Sequence, residues 1–262
     1  MSGKAYLSFK AAGYSRHVDP PPHGCKRLMR FVQWPKFTWS PFALCGPQLS
    51  ATAAGSPRTI GFLGFGRIAQ AVLARLVPFG VTHYLYSSNP ASPPDEARDA
   101  ALTERYHLQT LKRVDIDQLA QRSDVVFVLA PGGEKTRRLV NESFLKKMKT
   151  SSILVNASRG SLVDSDALAL ALREGWIWGA GLDVVEGEPD ITADHPLVKE
   201  PRCLRLLFYD AYLSNVVPPL RCVIVPHIGS ATLETRVAMA TLAVQNLLTG
   251  ISGELMPASV KL

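Results

Sequence analysis

Charge of either sign is scarce in this chain of 262 residues, at 19%, and carboxylates are scarcest near its start. Residues 1–18 contain no acid at all. Residues 1–50 hold seven cations against Asp19 alone, so +6 of the formal +7 sits there and the other 212 residues net only +1. A nucleic-acid footprint needs a basic face on the folded part and an element to place it in a groove. Neither is visible, which disfavours nucleic acid as a partner. Cysteine is sparse too: Cys25, Cys45, Cys203 and Cys222 form no CxxC and no zinc spacing. They read as free thiols of a reducing compartment, and no metal site is expected. No apolar run approaches the ~20 residues needed to span a bilayer. The acid-free start loosely echoes a transit peptide, and the final Val-Lys-Leu lacks the small first residue of a peroxisomal signal. The expected location is the cytosol.

Apolar residues make up 47%, a globular composition. From Thr59 onward short apolar runs alternate with amphipathic stretches. TIGFLG (59–64), VTHYLYS (81–87), DVVFVLA (124–130), SILVNAS (152–158), GAGLDV (179–184) and CVIVP (222–226) read as strands. Helices are predicted over 67–77, 95–106 and 116–123, from a cap at Asn141 to about Lys149, from a cap at Asp164 to Gly175, and over about 231–249. Strands alternating with helices imply an α/β fold with a parallel, doubly wound sheet.

The first strand runs into Gly64-Phe65-Gly66-Arg67-Ile68-Ala69, which opens a helix, the context a dinucleotide fingerprint requires. Gly64 would permit the tight turn, Gly66 the approach of a pyrophosphate, and Ala69 close helix packing. The helix N-terminus offers unpaired N–H groups to the phosphates. An NAD site wants a carboxylate at the end of the second strand for the ribose 2′-hydroxyl. Here that strand continues Ser87-Ser88-Asn89, with no acid before Asp95. Hydroxyls and an amide can donate to a 2′-phosphate, so NADP(H) is preferred, with NAD(H) possible because no arginine stands in that loop.

Three later segments carry reactive side chains at strand ends, where ligands bind in such sheets. Arg159, in NASRG, can present its fork to a carboxylate. His227 follows the strand CVIVP, and Glu188 follows GLDV. Taken singly, each has a plain reading as a surface ion pair, a structural histidine or a solvated acid. Together they supply what reduction of a keto acid needs. Arg159 anchors the substrate carboxylate, His227 acts as general acid, and Glu188 orients the imidazole and favours its charged form.

The motifs TIGFLGFGRIAQAV, SSILVNASRGSLVDSDALALAL, GAGLDVVEGEP and VPHIGSAT resemble the D-isomer-specific 2-hydroxyacid dehydrogenases, from about Trp34 to Leu262. The resemblance is strongest to the animal glyoxylate/hydroxypyruvate reductase branch. It implies NADPH-dependent reduction of glyoxylate to glycolate and of hydroxypyruvate to D-glycerate, by a homodimer. It also implies that the cofactor lies against Gly66, Arg67 and Ile68, with Ser87, Ser88 and Asn89 at the adenosine phosphate. Pro131, Ala157, Asp183 and Gly229 match positions on the nicotinamide side. The family also includes a corepressor, so a non-catalytic NAD(P)-binding module or sensor is the alternative.

The chain departs from that pattern twice. Only 58 residues precede the first strand, so a remnant of the family's flavodoxin-like substrate lobe is expected, and with it impaired turnover. Residues 203–221 interrupt a sequence that would otherwise run HPLVKEPRCVIVPHIGSAT, and Arg-Cys stands at both junctions. That segment reads as an inserted surface loop, the product of an altered transcript. The expected organisation is an atypical leader over 1–33, a linker over 34–58, the dinucleotide domain over 59–235 containing the insert 203–221, and a C-terminal helix and tail over 236–262.

Overall fold

The strands find each other because nearly every one is apolar on both sides. In a strand, successive side chains point to opposite faces, and here both faces are buried. The computed structural model describes residues 47–49, 57–205 and 221–258. The expected leader, most of the linker and the body of the insert lie outside the described residues.

Chain order gives β1 (Thr59–Leu63), α1 (Arg67–Leu76), β2 (His83–Ser87), α2 (Glu96–Tyr106), β3 (Thr110–Arg113), α3 (Ile116–Arg122), β4 (Val125–Val128), α4 (Glu142–Lys147), β5 (Ile153–Asn156), α5 (Ser165–Glu174), β6 (Gly179–Leu182), α6 (Pro196–Lys199), β7 (Cys203–Arg205), β8 (Cys222–Ile224) and α7 (Leu233–Ile251). The eight strands form one parallel sheet in the order β3-β2-β1-β4-β5-β6-β8-β7. The strand order reverses between β1 and β4, the switch point at which doubly wound sheets open a crevice beyond their carboxyl ends. This is a Rossmann-like α/β fold.

Two cores flank the sheet. Ile60, Phe62, Tyr84 and Tyr86 meet Ala69 and Leu73 of α1 on one face. Leu85, Val126, Val128 and Leu154 meet Leu119, Leu145, Leu168 and Leu172 of α3, α4 and α5 on the other. Each such leucine, fully buried, contributes roughly 1.5–3 kcal/mol. The expected caps are present: Asn141 accepts from Phe144 N–H at 3.1 Å, and Asp164 from Asp166 and Ala167 N–H, both at 3.1 Å. Gly175 closes α5 in the left-handed conformation at φ 71°.

Four elements differ from the sequence expectation, the short α6 among them, where no helix is predicted. The strand β3 is short and carries Lys112 and Arg113, so it shows no apolar run. The last helix starts at Leu233, behind the cap Thr232, rather than at 231. The insert does not begin as a loop, because Cys203–Arg205 forms β7 beside β8. The repeated Arg-Cys stands in register across this pair: Cys203 is the register partner of Cys222, and Arg221 and Cys222 N–H both donate to Arg202 carbonyl, at 2.9 and 3.1 Å. Two copies of one short segment thus lie side by side at the sheet edge. Both thiols are buried, and a hydrogen bond with Cys203 together with burial pushes the Cys222 thiol up.

Candidate active site

Every residue expected in the site lies at the carboxyl ends of β1, β2, β4, β5, β6 and β8 or in the first turn of α1. The strands are parallel, so these positions share one edge of the sheet.

At the end of β1, Gly64 adopts φ 93°, and a Cβ there would stand 2.6 Å from the backbone of Ala130 beyond β4. No other residue fits this turn without strain. Its N–H donates to Ser87 carbonyl at 2.8 Å, which fixes the glycine turn beside the Ser87-Ser88-Asn89 segment. Gly66 differs: it sits at the N-cap of α1, exposed, and a Cβ there would meet nothing within 4 Å. The space in front of the helix is open. Five of the other six described helices carry an Asp, Asn or Thr side chain on their first N–H groups, whereas α1 has no side-chain cap and no acid in its first turn. Its donors and positive dipole end, at Arg67 and Ile68, face solvent. Gly64, Gly66 and the uncapped N-terminus therefore fit a dinucleotide pyrophosphate.

The reactive segments converge through backbone contacts. Gly160 lies so tightly against Val185 carbonyl that a Cβ would come within 2.0 Å of its oxygen. This presses the turn after β5, which carries Ala157 and Arg159, onto the loop after β6, which carries Glu188. Arg138 reinforces that junction with a forked pair to Glu186, Nε–Oε1 at 3.1 Å and Nη2–Oε2 at 3.0 Å. The buried Asn156 stitches the turn itself, donating to Arg159 carbonyl at 3.0 Å and accepting from Ser158 N–H at 3.2 Å. Ser158 Oγ donates to Ala130 carbonyl, joining the turns after β5 and β4. Pro131 is exposed one residue further on, and its carbonyl accepts from Thr136 Oγ1 at 2.8 Å. The Arg159 stem runs past Gly132, and its guanidinium is exposed; among the described residues it donates only to its neighbour Ser158 carbonyl.

His227 is held in place by its own turn. Its Nδ1 lies 3.2 Å from Glu188 Oε1. Its backbone takes the left-handed conformation at φ 52°, which a residue with a Cβ rarely adopts. Asp183 holds it there. Asp183 carbonyl accepts from His227 N–H at 2.8 Å, and its carboxylate accepts from Ile228 N–H at 2.7 Å and Gly229 N–H at 2.9 Å. Gly229 is required by the same clamp, since a Cβ would stand 2.8 Å from Asp183 Oδ2. Sequence reasoning placed Asp183 and Gly229 at the site but missed this service to His227. It named Asn156 and Gly160 only as neighbours of Arg159, with no role of their own, and missed Arg138. A buried amide ending an apolar strand and a glycine directly after Arg159 were the available signals.

A glycine turn leading to an uncapped helix, at the switch point of a parallel sheet, defines a dinucleotide-binding α/β protein. Residues 30–206 match the D-isomer specific 2-hydroxyacid dehydrogenase, NAD binding domain. The chain belongs to that family. It is 38% identical over 242 residues to the glyoxylate reductase/hydroxypyruvate reductase of Mus musculus, covering 91% of this chain and 63% of the relative. It is 37% identical over 238 residues to a glyoxylate reductase of Thermofilum pendens, covering 89% and 58%. The crystal structure of an NADPH-dependent glyoxylate/hydroxypyruvate reductase from Sinorhizobium meliloti, in complex with NADP and malonate, superimposes with a TM-score of 0.62 at 29% identity, covering 90% of this chain and 61% of that one. The chain thus spans about three-fifths of the length of these relatives.

Proposed function

We propose that the chain forms the cofactor-binding and proton-donating part of a reductase of small 2-keto acids, glyoxylate and hydroxypyruvate first among them, with NADPH preferred over NADH. The observation that carries this reading is the His227–Glu188 pair at 3.2 Å, on the same sheet edge as the open, uncapped start of α1. The names of the mouse and Sinorhizobium relatives support the substrate class, and the NADP in the latter structure supports the cofactor. With its pyrophosphate at the glycine turn, a bound reduced dinucleotide would supply the hydride from its nicotinamide. Arg159 takes the keto-acid carboxylate with its free donors. Glu188 occupies Nδ1 of His227, which leaves Nε2 to deliver a proton to the carbonyl oxygen as it becomes a hydroxyl. Pro131, Ala157, Asp183 and Gly229 line the nicotinamide side, and the working unit is a cytosolic homodimer.

The test mixes purified protein with NADPH and hydroxypyruvate and follows the absorbance of the reduced cofactor. Consumption is expected, and His227→Ala is expected to lower it by about 10²–10⁴-fold. Binding of NADPH without any consumption would refute the catalytic reading and favour a cofactor-binding module.

A further inference from the structure

The loop after β2 contains no arginine, yet a guanidinium reaches it from the neighbouring strand. Arg113 is the last residue of β3 and the register partner of Tyr86 on β2. Its Nη2 donates to Asn89 carbonyl at 2.8 Å and its Nη1 to Ser92 carbonyl at 2.7 Å. The fork therefore spans the loop that begins at Ser87 and folds it around a positive charge. Asn89 Oδ1 accepts from Ala91 N–H at 3.1 Å and closes the same bend.

No carboxylate among the described residues pairs with that guanidinium. The nearest element on the other side, α2, offers Asp99, but Arg98 pairs with that carboxylate, Nη2–Oδ1 at 2.6 Å, and Tyr86 donates to its other oxygen at 2.5 Å. Asp95 is turned to the helix, accepting from Arg98 N–H at 3.0 Å. Five N–H donors belong to a guanidinium, so carbonyl contacts through two of its nitrogens leave others for an anion.

We infer that Arg113 is a specificity-determining residue for the cofactor, favouring an adenosine ribose that carries a 2′-phosphate. It supplies the positive charge and also holds the loop so that Ser88 and Asn89 stand at the ribose. The inference rests on the proposed reading of this edge as the NADPH site, and deepens it. A cation at the end of β3 does the work that an arginine within the β2 loop would otherwise do.

Equilibrium binding tests it without catalysis. The full chain and its Arg113→Ala and Arg113→Lys variants are titrated by calorimetry with adenosine 2′,5′-bisphosphate and with 5′-AMP, after circular dichroism confirms that each is folded. The wild-type protein is expected to bind the bisphosphate about tenfold tighter than 5′-AMP, a ratio that shrinks as salt is raised. In Arg113→Ala the bisphosphate loses about tenfold more affinity than 5′-AMP does, so the ratio collapses towards one; Arg113→Lys keeps the charge, loses the fork and retains part of the ratio. An unchanged ratio in Arg113→Ala overturns the inference and leaves the NADPH reading standing. So does an equal loss of both ligands, which marks a purely structural residue. A wild-type protein that binds both ligands equally overturns the NADPH preference and the role of Arg113 with it.

Discussion

Replacing Asp183 with alanine should disable His227 without touching it. The carboxylate accepts two backbone N–H groups, from Ile228 at 2.7 Å and Gly229 at 2.9 Å, in a turn that solvent reaches. At such a site each bond contributes about 1 kcal/mol, so the pair is worth about 2 kcal/mol. Against this stands the left-handed backbone of His227 at φ 52°, which costs roughly 1–2 kcal/mol for a residue with a Cβ. The clamp and the strain nearly balance, so without the carboxylate the turn relaxes and the imidazole leaves Glu188. If 2 kcal/mol of positioning is lost, kcat should fall about 30-fold. Relaxation returns the roughly 1–2 kcal/mol of strain, so the net loss of stability is about 0–1 kcal/mol and the melting temperature should fall by no more than about 4 °C in a protein of this size. The assay is steady-state reduction of hydroxypyruvate by NADPH, beside a thermal melt. The two effects are separable, because Asn156→Ala should lower the melting temperature through a turn that does not carry His227. A folded Asp183→Ala variant that keeps the wild-type kcat would refute the clamp.

The two glycines of the cofactor turn should fail differently. Gly64→Ala forces a Cβ into the Ala130 backbone at a φ of 93°, a combined strain and overpacking cost of about 2–6 kcal/mol, and should be read as a loss of folded protein in a thermal melt. Gly66→Ala has open space in front of it, so it should melt normally but bind NADPH about tenfold more weakly by calorimetry, because its methyl stands where a pyrophosphate approaches the backbone. Alkaline pH offers a further check. Burial, with the Asp99 hydrogen bond and charge added, pushes the Tyr86 phenol from 10.0 up to about 12. Between those values the unfolded phenol ionises while the folded one does not. The stability linked to Tyr86 is therefore complete below pH 10 and is lost as the pH rises through 12. Burial also pushes the Tyr84 phenol up, so ultraviolet titration should show late tyrosinates of which Tyr86→Phe removes one; the same curve for both proteins would count against the assignment.

Much of the frame is legible along the chain because the interactions that make it are local. The apolar runs TIGFLG and DVVFVLA, the caps Asn141 and Asp164, and the glycine turn at 64–66 each announce themselves within a few residues. The strand β3 was not legible: TLKR has the charge of a loop and becomes a strand only because β2 offers it a partner. The edge strand β7 was hidden for the same reason. Its partner is the strand that carries the second Arg-Cys, 19 residues later, and only the sheet brings the two copies into register.

The sequence by itself decided that this protein is a parallel α/β sheet with an anion-ready helix, and it nominated Arg159, Glu188 and His227. Hydrophobic period and capping chemistry are properties of neighbouring residues, so no fold was needed to see them. What only the tertiary structure decided is which loops touch. Gly160 beds against Val185, Asp183 grips the turn of His227, and Arg113 reaches across to Asn89. Those contacts follow from a strand order, 3-2-1-4-5-6-8-7, that packing selects and that chain order does not spell out.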